Sequence, residues 1–138
     1  MPQVSGEVLC FQQCAKPCDI LITENLFGDI LTYEAMVISF SMGLMPSASL
    51  DSMVKLFEPI HGFYPQAVGR DIANPLGTVL SASMMFDYAF GLAEEAKLIS
   101  DVVNLSLAEG FITEEIAEGG KAYKTSEVGD WLAVKILG

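Results

Sequence analysis

Residues 71–92 read DIANPLGTVLSASMMFDYAFGL. Asn74 is a side-chain acceptor suited to an N-cap, and Pro75 already holds the φ of a first helical residue, so the pair predicts a helix from Pro75 to about Phe90. Gly91 is its natural end, because glycine takes up the left-handed conformation of helix termini at no steric cost. Within this helix Leu76, Val79, Leu80, Ser83, Met84 and Phe86 mix large and small contacts, a surface made for close packing.

The rest of the chain organises around that helix. A second one is predicted from about Ala93 to Ala108, with Leu98, Val102, Leu105 and Ser106 turned to the core and Glu94, Glu95, Lys97 and Asp101 to water, and Gly110 as its stop. The last starts near Ser126 in TSEVGDWLAVKIL, under a Ser or Thr cap, and packs through Trp131, Leu132, Val134 and Ile136. Upstream, MVKLF (53–57) reads as a strand and the Gly-, Ser- and Pro-rich SMGLMPSASL (41–50) as an irregular connection. Residues 7–16 suit a short amphipathic helix, DILIT (19–23) a buried strand, and 29–40 a helix apolar nearly all round. These elements predict an α/β chain, helix-rich with few strands. A helix as apolar as 29–40 needs a partner surface, and a second copy of the chain would provide one.

At 138 residues the chain has room for one modest domain, or for part of a larger one. A net charge of −11, from 18 acidic against 7 basic side chains, makes nucleic acid and anionic membranes poor partners. The first residues, MPQVSGEV, have neither the basic start nor the apolar core of a secretory signal, so a cytoplasmic location is expected. Cys10, Cys14 and Cys18 recur every fourth residue, but Pro17 interrupts the helix that would align them, and the single His61 lies far along the chain. They read as reduced thiols rather than a zinc site.

The segment between strand and helix, EPIHGFYPQAVGRDIAN (58–74), is too long and polar for a simple turn, and loops of this length tend to carry function. His61 there is either a ligand contact or a loop histidine bonded to a nearby carbonyl. Asp29, in ENLFGDILTYEAM (24–36), is either a metal ligand or a first-turn acid favoured by the helix dipole.

Four motifs in order, TENLFGDIL (23–31), GLMPSASL (43–50), LFEPIHG (56–62) and the stretch at 71–92, resemble the isopropylmalate and isocitrate dehydrogenase family, most of all its 3-isopropylmalate dehydrogenases. The resemblance runs from about residue 9 to the C-terminus. It implies the C-terminal part of a two-lobed fold, with 1–47 from the lobe that dimerises and holds metal and 48–138 from the dinucleotide-binding lobe. The implied reaction is NAD-dependent oxidative decarboxylation of a 2-hydroxy acid in leucine biosynthesis, aided by Mg²⁺ or Mn²⁺.

By the same resemblance Glu58, His61, Gly62, Gln66, Ala73 and Asn74 belong to the NAD site, and Asp29 to the metal site. The family pattern GDILSDEA reads GDILTYEA here, so Tyr33 stands where a second carboxylate is expected, and a protonated phenol is a poor ligand for a hard cation. Gln66 stands where an acid would accept from the ribose 2′-hydroxyl. It can still hydrogen-bond there, while Ala67 offers a 2′-phosphate nothing, which favours NAD over NADP. The arginines, tyrosine and lysine that clamp substrate and move protons in the family have no counterpart, so no turnover is expected of the chain alone. The implied partners are the missing N-terminal part or a second copy of the chain. Two other readings are a non-catalytic helical association module and a stand-alone nucleotide-binding domain.

Overall fold

The computed structural model describes Glu24, residues 26–28, Ile30, Leu31, Tyr33 and residues 41–138. The chain divides into two units, residues 1–40 and 41–138. In the first, 26–28, 30, 31 and 33 are helical, and the Gly28 N–H donates to the Glu24 carbonyl at 2.8 Å. The helix is therefore under way before position 29, a turn earlier than the sequence suggests. Leu31 is buried, whereas Ile30 and Tyr33 are exposed. The expected helix at 7–16, the strand at 19–23, the three cysteines and Asp29 lie outside the described residues.

The second unit begins with a short 3-10 turn (Met42–Leu44) leading into strand β1 (Pro46–Leu50). This corrects the expectation of an irregular connection at 41–50. Ser47, Ala48 and Ser49 have low strand propensity, but each pairs in register with β2 (Lys55–Pro59): Ser47 with Glu58, Ala48 with Phe57 and Ser49 with Leu56. Pairing and packing override propensity in a half-buried strand. Pro46 and Pro59 face each other at one end of the ladder, where proline's missing N–H does least harm. The strand expected at 53–57 begins two residues later than predicted.

Helix α1 (Leu76–Phe90) lies against both strands and against α2 (Ala93–Glu109), which in turn meets α3 (Thr125–Leu137). Both glycine stops are as read: Gly91 and Gly110 sit at φ 67° and 68°, each donating to carbonyls of the preceding turn. Gly77 is required by proximity. A Cβ there would lie 2.8 Å from the Gly43 carbonyl oxygen, so α1 rests directly on the backbone of the 3-10 turn. Across the α1–α2 seam the Ser83 hydroxyl donates to the Ala96 carbonyl at 2.7 Å and meets Ser100 at 2.9 Å.

The core is Leu76, Val102, Val103, Val128 and Leu132. Phe111 packs beside it, stacked between Tyr123 (3.7 Å between centroids) and Trp131 (5.3 Å), with Lys121 over Tyr123 and Lys135 over Trp131. Among the described residues no helix is long and apolar enough to cross a membrane.

Candidate functional site

The loop 61–74 is not open chain. Pro65–Ala67 make a 3-10 turn in which the Ala67 N–H donates to Tyr64 and the Val68 N–H to Pro65, and Arg70 closes a further turn on Ala67 at 3.0 Å. Gly69 (φ 73°) and Asp71 (φ 56°) both take the left-handed conformation, which Asp tolerates better than most residues. Two successive changes of direction then deliver Ile72, Ala73 and Asn74 to the start of α1.

Between this loop and the turns at 42–44 and 114–116 lies a cleft of about 810 Å³. Its apolar share comes from Met42, Phe63, Tyr64, Ala67, Val68 and Ile72, and its polar share from His61, Asn74, Glu114 and Glu115. Phe63 is 90% exposed and Val68 81%, which gives the cleft an apolar rim. None of the described lining residues is Lys or Arg, and two are carboxylates.

Two polar atoms in this lining are buried without a partner among the described residues. Asn74 is 8% exposed; its Oδ1 accepts the Leu76 N–H at 3.1 Å, capping α1 as the sequence predicts, and its Nδ2 has no acceptor. His61 Nδ1 lies 2.9 Å from the Gly62 carbonyl, which requires the proton on Nδ1, and Nε2 is left without a partner. In the neutral ring Nε2 is then an acceptor. The site thus holds one unused donor and one unused acceptor, each costing about 1–3 kcal/mol while unpaired.

The opposite wall is fixed by a contact between distant turns. The Ser41 hydroxyl donates to Glu115 and accepts the Gly43 N–H at 2.9 Å. A Cβ on Gly43 would come within 2.7 Å of Glu115 Oε2 and 2.8 Å of Asn74 Nδ2, so only glycine fits between them.

Of the residues singled out from sequence, His61, Gly62, Ala73 and Asn74 line the cleft together. Gln66 is exposed in the 3-10 turn and Glu58 exposed in β2, opposite Ser47; neither lines it. Sequence reasoning missed Met42, Gly43, Glu114 and Glu115. Gly43 was legible only as a small residue in a loop, and the two acids carried no local signal, because they lie some forty residues from the nearest part of the loop they face.

The family profile described as isocitrate/isopropylmalate dehydrogenase matches residues 8–132, nearly the whole chain. The chain belongs to the isocitrate/isopropylmalate dehydrogenase family. The 3-isopropylmalate dehydrogenase of Carboxydothermus hydrogenoformans is 49% identical over 99% of this chain and 39% of that protein, and that of Bacteroides fragilis is 52% identical over 83% and 32%. The fold agrees. The crystal structure of isocitrate dehydrogenase from Methylococcus capsulatus superposes with a TM-score of 0.90 at 26% identity, covering 98% of this chain and 40% of that one. A beta-decarboxylating dehydrogenase from Thermococcus kodakarensis gives 0.84 at 34%, covering 97% and 39%. The chain therefore spans between a third and two-fifths of the length of the relatives it matches. The described lining residues of the cleft all belong to the 41–138 unit.

Proposed function

We propose that this chain provides the adenosine half of an NAD site for a beta-decarboxylating dehydrogenase of the 3-isopropylmalate dehydrogenase kind. The observation that carries this reading is the cleft with its paired vacancies, Asn74 Nδ2 as donor and His61 Nε2 as acceptor. An adenine edge offers the complement, an amine donor beside a ring-nitrogen acceptor. Ile72 and the apolar rim supply flat contact for the ring. Glu114 and Glu115 disfavour a 2′-phosphate, which supports NAD over NADP. NAD, when bound, would supply the hydride acceptor; this chain's residues would hold its adenosine end and keep water from the Asn74 and His61 hydrogen bonds.

The divalent cation fits less well. Tyr33, which stands four positions after Asp29 in the sequence, is 51% exposed and presents a phenol where a hard cation needs carboxylate oxygen. Turnover of a 2-hydroxy acid such as isopropylmalate belongs, on this reading, to an assembly of the chain with the remainder of the relatives' length. Calorimetric titration with NAD tests the site: saturable binding that NADP does not match supports it, and no heat from either sinks it. Mixing the chain with the N-terminal polypeptide of a relative tests the assembly, since the reading predicts NADH formation from isopropylmalate only in the mixture.

A second reading, an association module, rests on the end of the unit where the β1–β2 hairpin meets α1. Leu50, Met53, Val54, Tyr88 and Phe90 are exposed there, and the Lys55 ammonium donates to the Tyr88 carbonyl. Sedimentation that shows a monomer at high concentration, with no affinity for a full-length relative, excludes it.

A further inference from the structure

The N-terminus of α3 is capped from a distance. The residue before it, Lys124, has no side-chain acceptor to offer, although Glu127 accepts the Lys124 N–H at 2.8 Å. The acceptor comes instead from Asp71, 55 positions earlier: Oδ1 takes the Ser126 N–H at 2.9 Å and Oδ2 the Ser126 hydroxyl at 2.6 Å. Two more bonds bind the same segments. The Thr125 N–H donates to the Asp71 carbonyl at 3.1 Å, and the Thr125 hydroxyl to the Ala73 carbonyl at 2.6 Å. Every one of these acceptors lies within three residues of Asn74, and Ile72, Ala73 and Asn74 all line the cleft.

We infer that Asp71 is a positioning residue: by capping α3 with its carboxylate it holds the left-handed turn that presents Ile72, Ala73 and Asn74 to the cleft. Helix α3 is anchored in the core through Val128 and Leu132, so the clamp transmits the rigidity of the core to a loop that has few apolar anchors of its own. Removing the carboxylate leaves the turn free to relax, and the first group to move is the Asn74 amide. The effect on ligand rests on the NAD reading above; the effect on Asn74 does not.

The test uses the full chain and three variants. Asp71→Gly removes the carboxylate without adding backbone strain, because glycine is at ease at φ 56°. Asp71→Asn restores a neutral acceptor for Ser126. Glu127→Ala removes a side-chain contact at the same helix end that does not involve the loop. The expected result is that Asp71→Gly shifts and broadens the Asn74 side-chain amide signals in ¹⁵N spectra and weakens NAD about tenfold, the scale of one lost cap. Asp71→Asn recovers most of both, and Glu127→Ala lowers the urea midpoint while leaving both unchanged. Asn74 signals that coincide in wild type and Asp71→Gly overturn the inference, as does Glu127→Ala shifting them equally. If Asp71→Gly does not fold, Ser126→Ala carries the same readout, with a smaller shift expected and none overturning it. A wild-type chain that binds no NAD removes the adenosine reading alone, and the Asn74 signals still decide the role of Asp71.

Discussion

Asn74 divides one amide between two tasks. Its oxygen caps α1, which is visible in the sequence as Asn-Pro ahead of an apolar helix; its nitrogen faces the cleft unpaired, which is not. Asn74→Ala should therefore cost about 1 kcal/mol in urea unfolding through the lost cap. NAD affinity should fall in the same variant, and stability loss with unchanged affinity would leave Asn74 a cap only. Gly43 makes the complementary case. Its missing Cβ is the space between Glu115 and Asn74, so Gly43→Ala should destabilise the fold by about 1–3 kcal/mol and close that side of the cleft. Nothing local marks Gly43 as special, because its φ is ordinary and its constraint comes from two residues distant in sequence.

At the scale of elements, two opposing effects meet at Gly77. Helix propensity alone predicts that Gly77→Ala stabilises α1 by about 1 kcal/mol. The new methyl would sit 2.8 Å from a backbone oxygen of the 42–44 turn, which cannot rotate away as a side chain can. Overpacking of this kind costs about 1–3 kcal/mol, so a lowered midpoint in chemical unfolding is expected; a raised one would show the contact to be soft. Helix α3 carries the pH-dependent case. The Ser126 hydroxyl, then the Ser126 N–H, hold the Asp71 carboxyl below its usual value of 3.8; desolvation opposes them more weakly, and the nearby Lys124 ammonium adds the smallest lowering effect. A carboxyl lowered in the folded state contributes stability that is complete above its unfolded value and is lost as pH falls through the folded one. Stability measured below about pH 4 should thus fall more steeply in wild type than in Asp71→Asn. Equal slopes would mean that the clamp holds without charge. The sequence placed this helix within a residue but named the wrong cap: Thr125 and Ser126 donate their hydroxyls outward, and the acceptor is an acid that no reading of neighbouring residues connects to them.

For the molecule as a whole, the 41–138 unit closes on five buried side chains drawn from all three helices. Leu132→Ala, at a position 2% exposed, should cost about 2–5 kcal/mol. Trp131, the only tryptophan, stacks on Phe111 beside that core, so its fluorescence reports the same event. Fluorescence and circular dichroism should give coincident unfolding curves for this unit, and separated midpoints would show that α3 melts independently of α1 and α2.

The sequence by itself determined the three helices of the 41–138 unit, the glycine stops of the first two, the loop that leads into α1 and the family to which the chain belongs. Each of these depends on short-range steric preferences or on a motif read along the chain. Tertiary structure alone decided that Ser47–Ala48–Ser49 form a strand, that Glu114 and Glu115 face His61 and Asn74, and that Asp71 caps a helix 55 positions away. These depend on which segments meet. A backbone dihedral is constrained by its immediate neighbours, whereas a cleft wall or a distant cap acquires its partner only after the core has brought the two segments together.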